Sequence, residues 1–415
     1  MKREEQGNFN ESMAFIRNRN TRNRILNIIR TKGQSYKGEI KKITRYSMVT
    51  VLDTIEQLEK EDAIICIGKS VTKNGRRPTY YALNPDACYY FGLAFHATEL
   101  SWVLVDFCGV KRDFYSEAIP EAHRNKKYVL SRIYAVLADA LNKHSSLLQK
   151  IKGIGIGSPG YVDEKQGIII FYSHIPAWQN VPLKSLVEQR VPDIPIYVEN
   201  NVNAMALLYK WITPAVASSC YVIITIRSGV RMSLLTGTSL HKGKSFTSGE
   251  IGHIRTHGGM RYCPCGKRGC LDTEVSEISL RQKLLEGVRV GRFKEVWEMS
   301  GNDANKVDID LFFSSVRLGH TDSLQLLDEI CDFLSDGITQ IINTINPSNV
   351  VISSRYCELK GLFFDRLKKN IWERAIDVSL KGLSLEPIAF GEESLAIGAA
   401  ALVMENTSEF VDAVI

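Results

Sequence analysis

Residues Gly249 to Asp272 read GEIGHIRTHGGMRYCPCGKRGCLD. His253 stands ten residues ahead of Cys263, and Cys265 and Cys270 follow closely, so three of the nine cysteines fall within eight residues. Three thiolates and one imidazole are the ligand set of a closed tetrahedral zinc site. Gly266 and Gly269 supply the sharp turns that let neighbouring sulfurs converge on one ion. With no coordination position open, such a centre holds structure and does not activate water. The competing arrangement is one disulfide plus a free thiol, which belongs to an oxidising compartment. The other cysteines (Cys66, Cys88, Cys108, Cys220, Cys331 and Cys357) are dispersed, as reduced thiols in a cytoplasm are. The stretch MKREEQGNFNESMAF lacks the apolar core of a signal peptide. No run approaches the ~18–20 apolar residues that span a bilayer. The expectation is a cytoplasmic protein with no membrane partner and a structural zinc loop at 253–270.

At 415 residues, with 44% hydrophobic and 24% charged residues, the chain has room for two or three well-filled cores. Its charge is unevenly placed. Residues 1–84 hold 17 lysines and arginines against 9 acidic residues, a surplus of 8 in a chain whose net charge is +6. A basic module on a near-neutral body is the footprint of nucleic-acid binding, or else a merely solvated surface; local structure decides between them.

Ile25, Leu26, Ile28 and Ile29 recur at helical spacing before Gly33 breaks the pattern. Ser35 is a suitable cap for a short second helix from Tyr36 to about Ile43, with Glu39 near its start. Ser47 can cap a third helix to about Glu61, in which Val51, Ile55 and Leu58 make one buried face. Together they make a helix-turn-helix. Ala63–Ile67 and Pro78–Leu83 then read as two strands of a wing, joined by the basic loop containing Lys69, Lys73, Gly75, Arg76 and Arg77. Arginines on such a loop suit a narrow, electronegative minor groove. A third helix in the major groove would present Met48, Val49, Thr50, Asp53 and Thr54, the hydroxyls to base edges and the apolar groups to thymine methyls. Ser47 starts that helix, and Arg45, Lys41 and Lys42 would contact phosphates. From Tyr89 the pattern changes: FGLAFHATELSWVLVDFCGV reads as two strands, followed by a helix near Tyr128–His144 and a buried strand Ile151–Ile156.

GEIGH followed by CxCGxxGCL resembles the signature of the ROK family, which contains sugar kinases and sugar-responsive transcriptional repressors. The resemblance covers about residues 88–405, and GEESLAIGAAALV looks like the family's closing helix. It implies an α/β, actin-like (ribonuclease H-like) two-lobed sugar-binding domain at 85–415. Residues 1–84 resemble the winged helix-turn-helix of the repressor branch, down to GRRP and the Leu-Asn-Pro exit at Leu83–Pro85. Arg45 stands where that turn usually has glycine.

The resemblance also implies where kinase chemistry would sit, and four positions depart from it. The Asp-x-Gly-x-Thr phosphate loop of family kinases is matched by Ala94-Phe95-His96-Ala97-Thr98. Their glycine-rich second loop is matched by Ile226–Met232, with Arg227 and Arg231 inside it. These arginines would hold an anionic ligand or form surface or interlobe salt bridges. The adenosine-side glycines become Ser353-Ser354-Arg355. The catalytic base aligns with Asn201, and an amide is no general base at neutral pH. Family sugar sites point to Asn200, Glu250, His253, Asp272 and His174, beside the turn Ser158-Pro159-Gly160. Asp272 stands where glutamate is usual and is either a sugar ligand or a helix cap. His174 replaces a usual asparagine and is either a ligand or an ordinary loop residue. Glu250, three residues from a zinc ligand, would be braced by the metal.

The reading is a non-enzymatic, DNA-binding regulator of carbohydrate genes, most simply a repressor. It would act as a homodimer or homotetramer on two-fold operator DNA, with a sugar or sugar derivative in the cleft. The alternatives are an ATP-dependent sugar kinase with an appended DNA-binding domain, and a repressor with a vestigial cleft answering to a protein partner.

Overall fold

The structure, a computed structural model, describes residues 20–69, 78–172, 174–213, 219–237, 239–388 and 393–407. The basic residues Lys73, Arg76 and Arg77 lie outside the described residues. Two compact units are present, Met1–Pro214 with Glu393–Ile415, and Ala215–Glu392.

The first unit opens with a helix over 20–32 that buries Ile25, Leu26, Ile28 and Ile29 and stops at Gly33 (φ 74°). Strand β1 (Ser35–Tyr36) follows, then helices Lys37–Thr44 and Met48–Lys60, then the hairpin β2 (Ile64–Lys69) and β3 (Thr79–Leu83). Strand β3 lies between β1 and β2, closing a winged helix-turn-helix. Val51, Ile55 and Leu58 form the buried stripe of the third helix. Ser47 caps that helix, its side chain accepting the Thr50 N–H at 3.0 Å.

Two details correct the sequence reading. Ser35 does not cap the second helix. It is taken into β1 opposite Tyr81, its hydroxyl donates to Glu39 at 2.8 Å, and Tyr36 holds the cap position without a side-chain bond. Strand pairing and capping compete for the same short segment, and pairing wins. Arg45 keeps the turn that glycine would make: φ is 61°, and its N–H donates to the Lys41 carbonyl at 2.9 Å. Left-handed backbone costs a residue with a β-carbon about 1 kcal/mol relative to glycine. Arg45→Gly is therefore expected to stabilise this module by about that amount in urea titration.

The body of the first unit is a five-stranded sheet in the order β11-β7-β4-β5-β6. Its strands are β4 (Tyr89–Phe95), β5 (Glu99–Asp106), β6 (Lys111–Ala118), β7 (Ile151–Ser158) and β11 (Ile196–Asn200), with a small sheet of β8 (Tyr161–Asp163), β9 (Ile168–Phe171) and β10 (Gln179–Val181) between them in sequence. The repeat IKGIGIG in β7 shows how both faces are covered. Ile154 and Ile156 join a core with Phe91, Phe95 and Val129, Ile133 and Val136 of helix Lys126–Lys143. The alternate glycines admit the closing helix Ser394–Thr407. A β-carbon on Gly155 would lie 1.8 Å from the Ala399 carbonyl oxygen, and one on Gly92 in β4 2.0 Å from that of Ala396. These glycines are there for close approach of backbone to backbone.

The second unit repeats the plan. Its sheet runs β14-β13-β12-β15-β16, from β12 (Cys220–Ile226), β13 (Val230–Thr236), β14 (Ser239–Leu240), β15 (Asn349–Ser354) and β16 (Ser384–Ile388). In each unit an antiparallel meander of three strands is extended by two parallel ones. The long helix Thr321–Ile345 and helix Gly361–Arg374 bury Leu334, Ile338 and Leu367 with Val222 and Ile224 of β12. Two sheets of one topology are the α/β, actin-like pattern expected. Among the described residues no helix is long and apolar enough to cross a membrane.

Candidate functional site

Turns build the loop from His253 to Cys270. Gly266 and Gly269 are left-handed (φ 84° and 74°). The Gly266 N–H donates to the Cys263 carbonyl at 2.9 Å, and the Cys263 N–H to that of Lys267 at 2.8 Å. A β-carbon on Gly269 would stand 2.4 Å from the Gly259 carbonyl oxygen, so glycine is what lets these segments cross. The ligand atoms of His253, Cys263, Cys265 and Cys270 all come within 4.8 Å of one another and could hold a metal ion. Cys263 Sγ lies 3.7 Å from His253 Nδ1, and Cys265 Sγ 3.7 Å from Cys270 Sγ. A tetrahedron with metal–sulfur bonds of ~2.3 Å has edges of roughly 3.8 Å. The quartet is thus spaced for one tetrahedral cation, and all three cysteines are free thiols. Burial and the adjacent thiols push Cys270 up to about 12, so without a cation this side chain stays a neutral thiol.

Across the imidazole, His253 Nε2 faces Glu250 Oε2 at 3.8 Å. Glu250 is also paired with Arg231, at 3.0 Å, and the two side chains are only 22% and 12% exposed. Burial raises the Glu250 carboxyl above its usual range, with Arg231 opposing. Asp272 neighbours both Glu250 and His253, and burial pushes it up to about 6. Its Oδ1 accepts the Val230 N–H at 2.5 Å. Asp272 is therefore no cap of helix Asp272–Val275, which begins without a side-chain cap; it ties down the loop before β13. A β-carbon on Gly252 would approach Asp272 Oδ1 to 2.9 Å, so glycine keeps space beside this carboxylate. Arg231 forms an ion pair with Glu250 within the second unit. The second unit brings together Glu250, His253 and Asp272.

The first unit holds the other candidates. Asn200 caps helix Asn201–Ile212: its Oδ1 accepts the Val202 N–H at 2.8 Å and its Nδ2 donates to the Gly160 carbonyl at 2.7 Å. The turn Ser158–Gly160 is thereby fixed to the helix start. Asn201 is 8% exposed and donates through Nδ2 to the Phe95 carbonyl at 2.9 Å, while its Oδ1 is buried without a hydrogen-bond partner. His96, in the stretch Ala94–Thr98, has its Nδ1 3.0 Å from Thr98 Oγ1 and its Nε2 3.5 Å from Glu99. Arg355 is paired with Asp310 and Glu358. His174 is exposed, its ring 5.3 Å from that of Tyr172.

On the helix-turn-helix, Arg45, Ser47, Met48 and Val49 are exposed, and Thr50 is half-buried. Thr54 corrects the sequence reading. It is 8% exposed and its hydroxyl donates to the Thr50 carbonyl at 2.8 Å, so it belongs to the inner face with Val51, Ile55 and Leu58. At 3.6 residues per turn, position 54 falls beside 51 and 58, a signal the sequence contained. Leu52, which the sequence reading did not name, is 40% exposed on the outer face.

A further interaction had no local signal. Arg30, at the end of the first helix, donates to the Trp211 carbonyl at 2.7 Å, and its guanidinium lies 4.5 Å from the centre of that indole ring. The joint borders a cavity of about 390 Å³ lined by Arg30, Thr31, Cys108, Leu208, Trp211 and Met404, among others.

A xylose repressor of Caldicellulosiruptor bescii is 24% identical over 372 residues, covering 90% of this chain and 92% of its own. A glucokinase of Thermotoga maritima is 27% identical over 253 residues, covering 61% of this chain and 79% of its own. A crystal structure of a ROK family transcriptional regulator, a homologue of the E. coli MLC protein, matches with a TM-score of 0.78 at 20% identity, over 95% of this chain and 97% of that one. Coverage at the repressor's level reaches into the first 84 residues. The profile of the ROK family itself matches residues 106–406, well over half of the chain, and the protein belongs to that family.

Proposed function

We propose that the protein is a DNA-binding regulator of carbohydrate genes, a repressor released by a sugar or sugar derivative. Residues 1–84 would bind operator DNA and 85–415 would sense the effector, in a homodimer or homotetramer on a two-fold site. The observation that carries this reading is the Met48–Lys60 helix, whose exposed face is flanked by Lys41, Lys42 and Arg45. Binding of the protein to its own upstream DNA, measured against random duplex at physiological salt, tests it. No preference for the upstream DNA would end it. Replacing Arg76 and Arg77 together by alanine should weaken binding and lower the salt slope by about 0.9 for each phosphate no longer neutralised. Arg45→Gly should do the same for one phosphate while stabilising the fold.

The effector contacts proposed are Glu250, His253 and Asp272 in the second unit, and Asn200 and His174 in the first. Asn201 joins them, because its orphaned Oδ1 suits a hydroxyl donor. The metal proposed for the His-Cys quartet is Zn²⁺ in a structural role. It would polarise the His253 ring, and His253 Nε2 would then hold Glu250 in place. A thermal-shift screen of sugars and phosphosugars identifies the effector, since a ligand of the native state raises its apparent stability.

Phosphoryl transfer is not proposed. The amide at position 201 donates to a backbone carbonyl, which a carboxylate cannot do. Asn201→Asp would set two acceptors against each other in a buried site, at about 1–3 kcal/mol. The expected result is a lower melting temperature and still no turnover with ATP, magnesium and the sugar panel. Turnover by the parent protein would favour the kinase reading instead.

A further inference from the structure

The outer face of the recognition helix carries an unusual set of groups. Met48, Val49 and Leu52 are 41%, 66% and 40% exposed and lie together along one stripe, bordering the buried stripe of Val51, Ile55 and Leu58. Single exposed apolar residues are ordinary, but three adjoining ones at a helix start form a surface that something covers. Its surroundings select the occupant. Lys41 and Lys42 are exposed in the last turn of the preceding helix, and Arg45 is exposed in the turn between. Cations gathered at the N-terminal end of an apolar stripe, with the exposed Asp53, Glu56 and Glu59 further along, fit a polyanion that meets the start of the helix and offers apolar groups within.

What the first two turns lack is equally informative. From Met48 to Thr54 the helix reads MVTVLDT, with no Arg, Lys, Asn or Gln, the side chains that read guanine and adenine edges with paired hydrogen bonds. The Thr50 hydroxyl is engaged with Ser47 at 2.8 Å and Thr54 is buried. The groups left to face a groove are methyls, methylenes and the exposed Asp53 carboxylate, an acceptor only. In the major groove the apolar group is the thymine C5-methyl, and a carboxylate can accept from the amino group of cytosine.

Resting on the DNA-binding reading above, we propose that Met48, Val49 and Leu52 read thymine methyls in the major groove, with Asp53 accepting from a cytosine N4 amino group. The half-site read by this helix is then a thymine-rich pyrimidine run, discriminated by methyl contacts more than by hydrogen bonds.

The test uses the full-length protein and a randomised duplex library. Sites enriched by selection are resynthesised with deoxyuridine for thymidine, one position at a time, which removes only the methyl. Affinity should fall about fourfold per contacted methyl. Val49→Ser, at an exposed position that does not threaten folding, should bind the parent site more weakly and lose sensitivity to deoxyuridine at one position. Undiminished affinity on fully uracil-substituted sites, or enriched half-sites that hold no thymines along this helix, would overturn the proposal and leave the DNA-binding reading standing. Failure to enrich any sequence would instead remove the DNA-binding reading and this inference with it. A sedimentation shift to smaller species for Val49→Ser would show the stripe to be a self-association surface and also overturn it.

Discussion

Cys263→Ser is expected to abolish stoichiometric metal binding and lower the melting temperature of the second unit by about 10 °C, while operator binding stays within about threefold. Cys263 is 5% exposed and its sulfur lies 3.7 Å from His253 Nδ1, in the middle of the quartet. A serine hydroxyl there is a poor ligand for a thiophilic cation, and three donors do not close a tetrahedron. Outside the turns, the loop's backbone makes only isolated bridges, Arg255 with Cys270 and Tyr262 with Arg268. Side chains add the Arg261–Glu286 ion pair at 2.6 Å and the Thr256 hydroxyl donating to the Gly269 carbonyl at 3.2 Å. Met260 and Tyr262 point to solvent, 67% and 71% exposed. Structural zinc contributes about 10–16 kcal/mol in small peptides that fold around it. Even a quarter of that, in a unit the size of Ala215–Glu392, corresponds to about 10 °C. Elemental analysis and calorimetry with and without chelator decide the matter. Unchanged metal content in the variant would remove the site. Because His253 Nε2 faces Glu250, effector response should fall along with the metal, though the winged helix lies in the other unit.

How much of this was legible in the sequence follows from how far apart the partners are. The quartet spans only 253–270, so spacing and glycine placement disclosed it almost completely. The buried stripe of the third helix and the Ser47 cap are also local, as was the buried strand at Ile151–Ile156, although the packing role of its glycines depends on a helix more than two hundred residues later. Thr54 was misplaced by reading residue type before angular position. Ser35 was misread because the strand that claims it, β3, comes more than forty residues later. The Arg231–Glu250 pair depends on β13 lying beside the loop that follows it, with the Met232 N–H bonded to the Gly249 carbonyl at 2.8 Å. Individual residues suggested neither that pair nor the double duty of the Asn200 side chain. Arg30 and Trp211 are 181 positions apart, and nothing near either one announces the other.

That pairing yields the second large effect: Arg30→Ala should leave effector binding intact and collapse its influence on operator affinity to less than about twofold. Helix Asn201–Ile212 connects the two ends of the first unit. Its start is fixed by Asn200, which also holds the Gly160 turn, and Asn201 is one of the effector contacts proposed above. Its last turn presents the Trp211 carbonyl, which accepts from Arg30 of the DNA-binding module at 2.7 Å. A cation is favoured at that end of the helix dipole, and stacking over the indole adds about 0.5–2 kcal/mol. Between its ends the helix cannot easily bend. A β-carbon on Gly398 of the closing helix would come within 2.9 Å of the Ala204 backbone, and Lys210 is paired with Glu405 at 2.8 Å. On this reading a rod of twelve residues, about 18 Å long, would carry movement at one end to Arg30 at the other. Coupling between sites is typically worth about 1–3 kcal/mol, or 5- to 150-fold in affinity. Alanine at position 30 removes both the hydrogen bond and the stacked cation beside a cavity of about 390 Å³, so the module can shift without the helix following. Arg30→Lys, which keeps the charge but not the planar stack, should retain part of the response. The readouts are calorimetry for the sugar found by screening and fluorescence anisotropy for operator DNA with and without it. An Arg30→Ala protein that released DNA as the parent does would show that the signal travels by another route.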